Sequence, residues 1–102
     1  MKLVIITAIS EFKKDIIKMF KNTEIKAFTY KEVTGFKDVS EENVGTNWFG
    51  SEMNETPSIM FYVFLNENQT ALLFQSVTSF NASQNVSSKI HFASLTIDQI
   101  NN

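Results

Sequence analysis

The chain has 102 residues, of which 43% are hydrophobic and 13% aromatic, which is enough for one folded domain with a single apolar core. It contains no cysteine, which excludes disulfides and thiolate metal sites, and no arginine, the side chain best suited to bidentate phosphate contacts. Its formal net charge of −2 also argues against general nucleic-acid binding.

The first part of the chain predicts a strand, a helix and a second strand. Residues 2–7 are a short run of β-forming side chains, and Ser10 can cap the helix that follows. Residues 25–36 alternate between apolar and polar side chains, which indicates a strand. The helix between them ends near Asn22 and has one apolar face. The residues of that face are Phe12, Ile16, Met19, Phe20 and Thr23.

A long polar segment, residues 37–58, follows the second strand. It carries five carboxylates against one lysine and includes the only tryptophan, Trp48. Long segments without regular structure in a small domain are usually functional or disordered. Trp48 and Phe49, flanked by Gly45 and Gly50, are suited either to anchor a partner protein or to fold back and pin the loop.

The last part of the chain predicts a strand, a helix and a strand again. Residues 59–65 are an unbroken apolar run, which indicates a strand buried on both faces. Residues 66–68 supply a helix start, and residues 90–97 form the final strand. The apolar face of this second helix is expected to comprise Ala71, Leu73, Phe74, Val77 and Phe80.

This order predicts an α+β fold of the ferredoxin-like βαββαβ type. We expect a single domain over residues 1–102, with a four-stranded antiparallel sheet, two helices on one face, and a long loop joining strands 2 and 3 as the two central strands. The second face of the sheet would leave Met60, Tyr62 and Phe64, or their alternates, in water. Because an apolar area of this kind usually marks an association surface, the sequence predicts an oligomer.

Five short matches resemble the PII signal-transduction family and its PII-like relatives. Residues 25–36, IKAFTYKEVTGF, resemble the family's second strand, and residues 11–16, EFKKDI, are similar to a segment near its start. Residues 48–52, WFGSE, resemble the centre of its flexible T-loop, and residues 88–92, SKIHF, resemble its Gly-Lys-Ile-Phe-Val segment. Pro57 falls where the family has a proline before its third strand.

The resemblance implies a non-enzymatic regulator that forms a homotrimer and binds a small molecule, such as an adenine nucleotide, between subunits. The T-loop-like segment, residues 37–58, would then contact a partner protein such as a transporter or an enzyme. The implied ligand-binding residues are Thr29, Gly35, Phe36, Lys37 and Lys89. The implied partner-binding residues are Trp48, Phe49, Gly50 and Glu52.

The turn before Lys89 departs from the family pattern. The family has a glycine-rich turn there, which lets backbone N–H groups approach phosphates, whereas residues 85–88 are Asn-Val-Ser-Ser. The arginines of the family's C-terminal segment are also replaced, since residues 98–102 read DQINN. The sequence therefore favours a relative with a ligand other than a triphosphate.

Two further hypotheses remain open at this point. His91 is the only histidine, and as a candidate metal ligand it supports a trimer that binds a divalent metal, of the CutA-like or efflux-associated PII-like type. A lone histidine is more often an ordinary side chain, and one copy cannot build a zinc site without further ligands. The third hypothesis is an oligomeric adaptor that binds no small molecule.

The sequence also argues against several other classes of protein. No nucleophile–base pair is suggested, so we expect no enzyme activity. The first ten residues lack the pattern of a secretory signal, and no apolar run approaches the length of a membrane span. We therefore expect a cytoplasmic protein that does not insert into membranes.

Overall fold

The computed structural model describes residues 1–37, 55–85 and 87–101. Its strands form one antiparallel sheet in the order β2-β3-β1-β4, so β3 and β1 are central and β2 and β4 are edges. This is the predicted ferredoxin-like βαββαβ arrangement. The elements are β1 (Lys2–Ile9), a short 3-10 helix (Ser10–Phe12), α1 (Lys13–Asn22), β2 (Thr29–Phe36), β3 (Glu55–Leu65), α2 (Glu67–Ser83) and β4 (His91–Thr96).

Both helices pack on one face of the sheet and form the core with it. All five residues of the predicted apolar face of the first helix are buried, and the ring of Phe20 meets that of Phe61 edge-on at 5.3 Å. The predicted apolar face of α2 is only partly buried: Leu73 is buried, whereas Phe74 is 53% exposed. Phe74 lies on the flank of the helix, where its ring packs against Phe92 of the edge strand β4. Within the described residues, neither helix is long and apolar enough to cross a membrane.

The other face of the sheet is open in the single chain. Tyr62 and Phe64 are 39% and 48% exposed, whereas Phe61 and Val63, which point to the helices, are buried. Strand register places Phe64 opposite Leu3. The exposure that the apolar run predicted is therefore present in the chain by itself. We call this surface the open face; its apolar members include Leu3, Ile5, Met60, Tyr62, Phe64 and Leu95.

Two boundaries near α1 differ from the prediction. Ser10 does not cap a helix, because β1 continues to Ile9, which pairs with Ser58, and no side chain caps the 3-10 helix that starts at Ser10. β2 begins at Thr29 rather than at residue 25, because the backbone of Ile25 closes the end of α1 and its side chain enters the core. The predicted helix end at Asn22 is confirmed, and so is the second helix start, where Asn66 Oδ1 accepts a hydrogen bond from the Gln69 N–H at 2.7 Å.

The 37–58 loop was predicted too long at its C-terminal end. β3 begins at Glu55, because residues 55–58 pair with the last four residues of β2. Pro57 pairs with Thr34 of β2. The pairing of β3 with β1 begins only at Ser58, so the proline, which has no N–H, has no partner in β1. The loop therefore joins edge strand β2 to central strand β3, and not two central strands.

The end of α1 carries a strained residue. Glu24 has a φ of 59°, in the left-handed region that glycine and asparagine favour. The Glu24 N–H donates to Lys21 O at 3.1 Å and the Ile25 N–H donates to Phe20 O at 2.9 Å. This pair of bonds is the Schellman motif, which normally has glycine at this position.

Replacing Glu24 should therefore stabilise the chain. We expect Glu24→Gly to raise the free energy of unfolding by about 1 kcal/mol, because glycine adopts the left-handed conformation without a Cβ penalty. A thermal melt would register this as a rise in melting temperature of roughly 4–8 °C. Glu24→Ala is the control for loss of the carboxylate, and an equal gain in that variant would contradict the strain argument.

Candidate functional site

A groove lies at the end of the sheet where β1 and β2 end and β3 and β4 begin. Its volume is about 640 Å³. It collects residues from both sides of the 37–58 loop and from the segment that leads into β4. Four of the five predicted ligand residues line it, namely Gly35, Phe36, Lys37 and Lys89.

The groove is rich in hydrogen-bond donors and positive charge. Two lysines line it, and none of the described residues that line it is acidic. The ring of Phe36 is 68% exposed and offers an apolar surface beside these polar groups. Such a lining suits a ligand that combines an anionic group with a flat apolar part. The hydroxyls of the groove come from Thr7, Thr34, Thr56, Ser58, Ser87 and Ser88.

Gly35 leaves room for a neighbouring side chain. A Cβ added there would lie 2.7 Å from Ser58 Oγ, which is too close for two unbonded atoms. Ser58 Oγ holds its place by donating to the backbone oxygen of Thr56 at 3.0 Å. Gly35 thus lets β2 and β3 run side by side into the groove with the serine hydroxyl between them.

This close approach predicts a specific pattern of stability. Gly35→Ala should destabilise the fold by about 1–3 kcal/mol, because the added methyl group overpacks the site and displaces the Ser58 hydroxyl. In the double variant Gly35→Ala/Ser58→Ala, most of that loss should be recovered, since the clashing atom is gone. Chemical denaturation of the two single variants and the double variant measures the coupling, and strictly additive effects would show that the clash is not the cause.

Lys89 is held at the groove by the end of α2. Its Nζ donates to the backbone oxygen of Asn81 at 3.1 Å, where the last carbonyls of a helix favour a cation. The Asn81 side chain in turn accepts from the Ile90 N–H at 2.8 Å and donates to the Ile90 oxygen at 2.9 Å. Sequence reasoning missed Asn81, whose only signal was an amide residue in the last turn of a helix, eight residues before the candidate lysine.

Among the solved structures that match this chain are two that cover nearly all of it. One is a nitrogen regulatory PII-like protein, CPII, from Thiomonas intermedia K12, described as bound to ADP, AMP and bicarbonate; it has a TM-score of 0.63 and 12% identity, over 97% of this chain and 93% of that one. The other is a DUF3240 family protein from Shewanella baltica OS155, with a TM-score of 0.67 and 17% identity, over 99% of this chain and 93% of that one. The chain has a PII-like fold. No protein-family model and no curated protein sequence matches it.

In this PII-like fold, one predicted ligand residue lies away from the groove. Thr29 is at the opposite end of β2, where it pairs with Tyr62. Gly35 is six positions further along the extended strand, a distance of about 20 Å. A single chain therefore does not bring Thr29 together with the other four residues.

The remaining candidates are the metal ligand His91 and the predicted partner-binding residues. His91 lines the groove and its side chain is exposed, but the described ranges contain no group of three or more His, Cys, Asp or Glu residues that could hold a metal ion. A metal site at His91 therefore needs ligands from outside those ranges or from further copies of the chain, and the metal hypothesis stays a prediction. The predicted partner-binding residues Trp48, Phe49, Gly50 and Glu52 lie outside the described residues.

Proposed function

We propose that this chain is a non-enzymatic PII-like regulatory protein whose groove binds a small-molecule ligand. The observation that carries the proposal is the convergence of Gly35, Phe36, Lys37 and Lys89 on one groove. These residues come from two distant parts of the sequence, and the resemblance of their motifs to the PII family implies a ligand contact for each. The lining supports the same interpretation, because it is rich in donors and its described residues include no acidic side chain.

Adenine nucleotides are the first candidate ligands. CPII, which has the same fold, is described as bound to ADP and AMP. In this chain the exposed ring of Phe36 can contact a base, and Lys37 and Lys89 can contact phosphate oxygens. Because two lysines and no arginine are offered, the groove fits a mono- or diphosphate better than a triphosphate.

The proposal includes a homotrimer with the ligand between subunits. Thr29 can join the other ligand residues only if it comes from a second copy, because it is about 20 Å from Gly35 in its own chain. The open face supplies an association surface, since Tyr62, Phe64 and Leu95 are each exposed by more than a third. Packing of these faces at the centre of an assembly would cover them.

Partner contact through the 37–58 loop is the third part of the proposal. Lys37 is both a groove residue and the first residue of this segment, so a ligand that contacts it can shift the population of loop conformers. Trp48 and Phe49 are the proposed anchors for a partner such as a transporter or an enzyme, because aromatic side chains dominate interface hot spots.

Titration with AMP, ADP and ATP tests the ligand proposal. We expect AMP or ADP to raise the melting temperature and to change the fluorescence of the single tryptophan, and we expect Lys89→Ala to weaken binding about tenfold, as loss of a charge-assisted hydrogen bond requires. Lys14→Ala is the matched control, because it removes the same charge from an exposed position on α1.

Two outcomes of this titration would redirect the proposal. No response to any nucleotide would remove the nucleotide ligand. If divalent metals then stabilise the chain and His91→Ala abolishes that effect, the metal-binding trimer is the better account. If neither nucleotides nor metals act, and a partner is lost on Trp48→Ala, the oligomeric adaptor remains.

A further inference from the structure

The segment that leads into β4 has no glycine that would bring its backbone close to an anion. Residues 85–88 are Asn-Val-Ser-Ser, and Lys89 follows directly. The side chains available for recognition at this end of the groove are Lys89 and the hydroxyls of Ser87 and Ser88. Recognition by side chains requires that the backbone which carries them is held in place.

Asn81 supplies that constraint. Its side-chain amide makes two hydrogen bonds to the backbone of Ile90, at 2.8 and 2.9 Å. The Ile90 N–H can only donate and the Ile90 oxygen can only accept, so the pair of bonds fixes the orientation of the amide. Because the Ile90 side chain is only 3% exposed, its backbone is fixed from the core as well. Lys89 is the residue immediately before this double anchor.

The same residue also holds the lysine head. Lys89 Nζ donates to the Asn81 backbone oxygen at 3.1 Å, and the Lys89 side chain is exposed. A bond between an ammonium and a solvent-facing carbonyl is readily exchanged for one to an anion, which is the stronger acceptor. Asn81 therefore holds Lys89 at the groove in two ways. Its side chain fixes the backbone through Ile90, and the Asn81 backbone oxygen binds the Lys89 ammonium.

We propose that Asn81 is a positioning residue for an anion site at Lys89, acting on a phosphate-type ligand group that it does not itself contact. The inference rests on the proposed ligand function of the groove and deepens it, because it names the residue that presents Lys89 to the phosphate group. The hydrogen bonds of the Asn81 side chain hold the backbone next to Lys89 in place, a role that a tight turn could otherwise have.

Inorganic pyrophosphate is the probe, and isothermal titration of four proteins is the test. The proteins are the native chain, Asn81→Ala, Lys89→Ala and the double variant. We expect each single variant to weaken binding about tenfold. The double variant should bind no more weakly than the weaker single variant, because Asn81 acts only through Lys89.

Two further variants separate positioning from general stability. Asn81→Gln keeps the amide but lengthens the side chain by one methylene, so it should fold and still lose affinity. Asn68→Ala removes an exposed asparagine from the first turn of α2 and should bind as the native chain does. Amide hydrogen exchange at Ile90 should accelerate in both Asn81 variants and remain unchanged in Lys89→Ala, which reports the anchor independently of any ligand.

Two results would overturn the inference: additive losses in the double variant, or native affinity in both Asn81 variants. Failure of the native chain to bind pyrophosphate would also overturn it, whereas a response to AMP or ADP in the same protein would leave the proposed function standing. Conversely, coupled loss of pyrophosphate binding in a chain that ignores nucleotides would support the inference and remove the nucleotide proposal.

Discussion

Phe61→Ala should remove a large part of the stability of the fold. The Phe61 ring is fully buried at the centre of an aromatic cluster, with centroid distances of 5.3 Å to Phe20, 5.9 Å to Phe28 and 5.6 Å to Tyr30. Truncating a buried phenylalanine costs about 3–5 kcal/mol, because apolar contacts are lost and a cavity remains. Domains of this kind are stable by roughly 5–15 kcal/mol in total. We therefore expect a large fall in the urea midpoint.

The control for this prediction is Phe36→Ala. Phe36 is the same residue type in the neighbouring strand, but its ring is 68% exposed. We expect this variant to change the free energy of unfolding by less than about 0.5 kcal/mol. Equal losses in the two variants would mean that the helices do not pack on the face of β3 that carries Phe61.

Phe64→Lys should prevent assembly while leaving the single chain folded. In the chain alone this side chain is 48% exposed on the open face, so a lysine there can reach solvent. In the proposed trimer the same position would be covered, and an unpaired buried ammonium costs several kcal/mol in each subunit. We expect light scattering to show single chains for this variant and a larger species for the native protein at the same concentration.

Leu72→Lys is the matched control for the assembly experiment. Leu72 is 46% exposed, nearly the same fraction as Phe64, but it lies on α2, in the helix layer on the other side of the sheet. This variant should assemble as the native chain does. Dissociation of both variants to the same extent would show that added charge, and not the open face, controls assembly.

Much of the fold follows from the spacing of apolar residues. The buried face of the first helix follows from the helical spacing of Phe12, Ile16 and Phe20, all of which are buried. The errors arose where contacts between distant elements decide. Residues 55–58 contain a proline and polar side chains, and they are a strand because β2 offers them a partner. The spacing predicts Phe74 in the core, but its ring lies on the flank of α2, where it packs against Phe92 of the edge strand β4.

The groove was less accessible to sequence reasoning than the fold. Its ligand residues were inferred from a resemblance between short motifs, and residue spacing alone could not bring Lys89 to Gly35. The role of Asn81 depends on where the end of α2 meets the start of β4, which is a property of the tertiary structure. The predicted role of Thr29 depends on assembly, because it requires a second copy of the chain.

Native mass spectrometry of the protein with ADP tests the central claim most directly, since it counts chains and bound ligands in one spectrum. We predict a species of three times the chain mass of 11.6 kDa, carrying up to three nucleotides, and loss of those nucleotides in Lys89→Ala. Single chains of 11.6 kDa without nucleotide, or trimers that never take up ADP, would contradict the account of an intersubunit nucleotide site.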